Sequence, residues 1–79
     1  MAETYLIAHP QKALKGEKIY RVTKDRAWDD LPFSYNIDVR CVNYSHGKNV
    51  VSWRVKEKFN ERGDAILKFN KLTGCKLPV

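Results

Sequence analysis

At 79 residues the chain has room for one domain and not for two. Its 43% hydrophobic and 11% aromatic content excludes a wholly disordered chain, because that much apolar surface can offset chain entropy. The net charge of +6 is uneven: residues 1–33 carry six basic against five acidic side chains (+1), and residues 34–79 carry nine against four (+5). A basic half points to an anionic partner: nucleic acid, an acidic protein surface or an anionic membrane. No stretch approaches the roughly 20 apolar residues of a membrane span. The opening MAETYLIAHPQK lacks a signal-peptide core. Cys41 and Cys75 are too few for a disulfide framework or a zinc site. The expectation is a cytoplasmic protein with free thiols, no cofactor, no metal and no membrane partner.

In chain order, Thr4 to Ala8 reads as a short strand that His9-Pro10 should end. Pro10 then suits the first turn of a short helix over residues 11–15, with Gly16 as its stop. Lys18 to Thr23 reads as a second strand, and residues 24–33 as a loop carrying Trp28. Trp28 either folds back as a lid over the core or stands out as an interface anchor, since Trp is enriched in binding hot spots.

The stronger pattern begins at Ser34. Tyr35, Ile37, Val39 and Cys41 alternate with Asn36, Asp38, Arg40 and Val42, the period of a strand with one buried face. His46-Gly47-Lys48-Asn49 is turn chemistry. Beyond it Val51, Trp53, Val55 and Phe59 alternate with Ser52, Arg54, Lys56 and Lys58. The two runs predict an antiparallel hairpin. Keeping both odd-numbered sets inward requires Cys41 opposite Trp53, Val39 opposite Val55 and Tyr35 opposite Phe59, and hence a turn of three or five residues. The outer face would then set Arg40 against Arg54, Asp38 against Lys56, Asn36 against Lys58 and Tyr44 against Val50. Asn60 is the expected N-cap of a last helix, and Ala65, Ile66, Phe69 and Leu72 form its apolar stripe. Gly74 is the expected stop. Ile66, Phe69 and Leu72 should lie over Val39, Val55 and Trp53. The fold class is therefore α+β: a small antiparallel sheet of three to four strands with a C-terminal amphipathic helix on one face, forming one domain over residues 1–79.

Catalytic chemistry finds no pattern in the sequence. His9 and His46 are far apart and neither accompanies a nucleophile. Asp29 and Asp30 are adjacent and point apart on any regular element. The four glycines form no phosphate loop. The expectation is a non-enzyme. The surviving feature is the basic hairpin face: Arg40, Arg54, Lys56 and Lys58, with Lys48 and Tyr44 near the tip and Trp28 as a further aromatic anchor. Such a face can neutralise phosphates and stack a base, or dock on an acidic protein.

The stretch SYNIDVRCVNYSHGKNVVSWRVKEKFNERGDAILKFNKLTG, a hairpin closed by one helix, resembles the architecture of small phage- and prophage-encoded accessory proteins, including anti-CRISPR proteins. The resemblance implies a non-catalytic inhibitor that sterically blocks a host protein or nucleoprotein complex. Many such inhibitors are acidic, so the basic charge here favours contact with an acidic protein patch or with nucleic acid over DNA mimicry. A nucleic-acid-binding module using the same face is the alternative, and a self-associating subunit, for example a homodimer, is the third reading.

Overall fold

A computed structural model describes residues 3–79 as a four-stranded antiparallel sheet followed by one helix. The elements are β1 (Glu3–Lys12), β2 (Ile19–Arg26), β3 (Ser34–Ser45), β4 (Lys48–Phe59) and α1 (Arg62–Thr73). The sheet is a meander in the order β1-β2-β3-β4, so β1 and β4 are its edges.

The first strand is longer than the sequence suggests. His9-Pro10 does not end it, and residues 11–15 form no helix: Gln11 and Lys12 pair with Tyr20 and Ile19. Proline is tolerated because β1 is an edge strand, and the pairing shifts between Leu6 and Ala8 and again between Ala8 and Gln11, where bulges absorb the irregularity. The loop after β1 is fastened to the helix C-terminus, where the Leu14 N–H donates to the Leu72 carbonyl at 2.9 Å.

One core cluster unites sheet and helix. Ala8, Tyr20, Val22 and Ile37 are buried with Ala65, Ile66 and Phe69, and Leu72, Val39, Tyr35 and Phe59 border them. Thus the helix stripe is the one its spacing predicts, and each fully buried side chain such as Phe69 or Ile66 contributes about 1.5–3 kcal/mol. The N-cap is Glu61, one residue beyond Asn60, and it makes no side-chain cap bond. Gly74 closes the helix at φ 76°, its N–H donating to the Asn70 carbonyl at 2.8 Å.

The hairpin register agrees with expectation only at its base. Tyr35 faces Phe59, Asn36 faces Lys58 and Ile37 faces Glu57. A bulge then leaves Lys56 unpaired, and the pairing continues one residue displaced: Asp38 with Val55, Val39 with Arg54, Arg40 with Trp53, down to Ser45 with Lys48. The turn therefore holds two residues, His46 and Gly47, both with positive φ (51° and 76°), the type I′ geometry that matches strand twist. The bulge reverses the face of every β4 residue beyond it. Val55 and Trp53 leave the helix side and stand on the other face, while Arg54 moves to the helix side. Cys41 lies opposite Ser52, not beneath Trp53.

Candidate binding face

Among the described residues no other element covers the sheet face away from the helix. On it stand Arg21, Thr23 and Asp25 of β2, Asn36, Asp38, Arg40, Val42 and Tyr44 of β3, and Val51, Trp53, Val55 and Lys58 of β4, because directly paired residues share a face. Its centre is polar and closed. The Asp38 carboxylate, 4% exposed, accepts from Arg21 Nε at 3.0 Å and from Thr23 Oγ1 at 2.9 Å, both on Oδ2. The Arg21 guanidinium lies 4.2 Å over the Trp53 ring, so it crosses β3 to reach β4. Carboxylate on one side and indole on the other fix its orientation, the arrangement in which arginine recognises an anion with least loss of side-chain freedom.

Asp38 Oδ1 and Asn36 Oδ1 are buried and accept no hydrogen bond among the described residues. Around this centre Arg40 is exposed beside Trp53, and Lys58 reaches Asp25 at 3.9 Å. Beyond Val39 the third strand has no partner in β2, so residues 40–53 form a two-stranded arm projecting past the sheet. Its apolar residues stay in water: Val42, Val50 and Val51 are about half exposed and Tyr44 is 76% exposed.

The expected site residues are therefore divided. Arg40, Tyr44 and Lys58 share the open face. Arg54 and Lys48 lie on the helix side, and Lys56 is the bulged residue. Arg40 and Arg54 do not oppose each other, which corrects the expected cation pair. Trp28 is at the far end of β3 from Tyr44; at 62% exposure it roofs no core. Near it, Glu3 bonds Arg26 at 2.7 Å, which holds that guanidinium's pKa above its ordinary value, and Arg26 and Lys24 lie over the Phe33 ring. Reasoning from sequence missed Arg21, Thr23, Asp38 and Trp53. The visible signal was the pair His46-Gly47: a two-residue turn dictates a register that carries Trp53 across to Arg40.

A concavity of about 730 Å³ lies between α1 and the end of β4 and is lined by Phe59, Asp64, Leu67, Lys68, Asn70 and Lys71. It opens widely to solvent. Among the described residues no group of three or more His, Cys, Asp and Glu side chains could hold a metal ion, and no helix is long and apolar enough to cross a membrane. Comparison of the chain with family models, with curated proteins and with solved structures found no match in any of the three.

Proposed function

We propose that this chain is a non-catalytic binding protein that occludes an acidic surface of a partner protein or nucleoprotein complex with the open face of its sheet. The observation that carries the reading is the Asp38–Arg21–Trp53 assembly: a buried carboxylate and an indole hold one arginine rigid on a face that no element among the described residues covers. Arg40 and Lys58 extend the positive charge, and Val42, Val51 and Tyr44 supply the apolar area that a blocking surface buries. This is the mode of action that the phage-inhibitor resemblance implies.

The test is affinity capture from host lysate, with and without nuclease. Arg40→Glu combined with Lys58→Glu is expected to abolish capture. The same charge change at exposed Lys15 and Lys76, away from this face, should leave it intact. Equal loss in both variants would mean that net charge, and not this face, makes the contact. A second reading, direct binding of a nucleic-acid strand, is favoured by the exposure of Tyr44, four residues along β3 from Arg40 on the same face, where a base can stack. Nuclease-sensitive capture would select it.

A further inference from the structure

The β4 edge is protected along one half and bare along the other. From Arg54 to Lys58 it carries cations at Arg54, Lys56 and Lys58 and a bulge at Lys56, the devices that keep sheet edges from pairing. From Asn49 to Trp53 it carries no charge, no proline and no bulge. The type I′ turn makes Ser45–Lys48 a hydrogen-bonded pair. Alternation then turns the N–H and C=O groups of Asn49, Val51 and Trp53 away from β3, toward the open edge. These groups form a ladder ready for one more strand.

The charges at its ends select the occupant. Lys48 and Arg54 bracket the bare stretch, and both stand on the helix side. A second copy is disfavoured. Two-fold pairing centred on Val51 sets Lys48 against the other copy's Arg54, and pairing centred on Ser52 sets Lys48 against Lys56, like charges in either case; pairing centred on Val50 runs Trp53 against the turn residue Gly47, where the strand has ended. Nucleic acid offers no peptide ladder to complete. An extended peptide with carboxylates at both ends satisfies the backbone groups and the two cations together, while its alternate side chains cover Val51 and Trp53 on the open face.

We propose that the Asn49–Trp53 edge of β4 is a strand-addition site for an extended acidic segment of a partner protein, with carboxylates opposite Lys48 and Arg54. This names the partner chemistry for the binding function proposed above; it rests on the chain being a binding protein and not on which of its surfaces makes the main contact.

The probe is the end-blocked peptide Glu-Val-Thr-Val-Val-Thr-Glu, compared with the same peptide carrying Lys at both ends. The acidic peptide is expected to bind at least about tenfold more tightly, since two ion pairs replace two like-charge contacts. On binding, the amides of Asn49, Val51 and Trp53, which point away from β3, should become protected from hydrogen exchange, whereas those of Val50 and Ser52, already bonded to β3, gain protection only in so far as the arm as a whole opens less often. Val51→Pro removes an edge N–H without breaking a bond to β3 and should abolish binding. Amide exchange at Val50 and Ser52 in the free variant checks that its arm is still paired with β3, and a proline at the centre of the peptide makes the same test from the other side. No binding at millimolar peptide, equal binding of the Lys-ended peptide, or no gain in protection at Asn49, Val51 and Trp53 would overturn the proposal. In lysate capture, loss with Arg40→Glu/Lys58→Glu but not with Val51→Pro would overturn the edge site and leave the face reading standing. The reverse pattern would support the edge and remove the face.

Discussion

At the scale of single residues, the stability of the open face is concentrated in Asp38. Its Oδ2 takes both the Arg21 and Thr23 bonds while the group is almost wholly buried. Removing it strands a half-buried guanidinium and a buried hydroxyl. Asp38→Ala is expected to cost about 3 kcal/mol, within the range for breaking a buried pair. Thr23→Val, which leaves the Arg21 bond in place, should cost only about 1 kcal/mol. Chemical denaturation measures both, and equal effects would show that Arg21 adds nothing to the cluster. Asn36 makes the opposite case. Its buried Oδ1 accepts no bond among the described residues, so the native side chain bears a desolvation cost without recompense. Asn36→Val is expected to stabilise by roughly 1 kcal/mol, and a drop in the denaturation midpoint would show that the amide is doing more than the fold requires. None of these three residues could be singled out from sequence. Each sits where alternation predicts an outward, solvated side chain; Asp38 is closed in by the Arg21 guanidinium, which bonds it from β2 and lies over Trp53 of β4.

At the scale of elements, the helix was legible and the hairpin only half so. Ala65, Ile66, Phe69 and Leu72 repeat at a spacing that no other structure uses, and the structure places all four at the core. The runs from Ser34 and Val51 were recognisable as strands for the same reason. Their pairing was not, because a run of odd-numbered apolar residues looks like one face unless a bulge is known to interrupt it. Glu57, polar on the expected inner side, was the residue out of pattern, and it lies next to the bulge. The proline in β1 misled for a related reason, since strand propensity says nothing about whether a strand is an edge. Gly74 is an element-scale feature with a sharp test. Its φ of 76° strains any L side chain, and an added Cβ would lie 2.7 Å from Leu14 Cδ2. Leu14 is exposed and can give way, so the strain of the left-handed backbone dominates. Gly74→Ala should cost about 1–2 kcal/mol and lower Tm by several degrees, whereas Gly74→Asn should cost less.

At the scale of the whole molecule, the sheet has a stable end and a weak end. The core cluster lies where four strands and the helix overlap, and central amides such as those of Val22 and Ile37 can exchange only when that core opens. The arm of residues 40–53 has no such support: it has two strands, apolar residues in water on both faces, and no layer beneath it. A two-stranded ribbon alone is marginal in water, so the arm must open locally at far less free energy than the whole domain. What holds it is its root, where Arg21 reaches from β2 to stack on Trp53 and ties β4 to the body of the sheet across β3. Amide exchange at Val50 and Ser52 is therefore expected to be orders of magnitude faster than at Val22 and Ile37 in the free protein. Trp53→Ala should accelerate exchange in the arm further while leaving the central amides slowed by nearly the same factor as before. If the arm and the core instead exchange at one common rate, the ribbon opens only with the whole domain. The partner strand proposed for its edge would then stabilise the entire fold and not the arm alone.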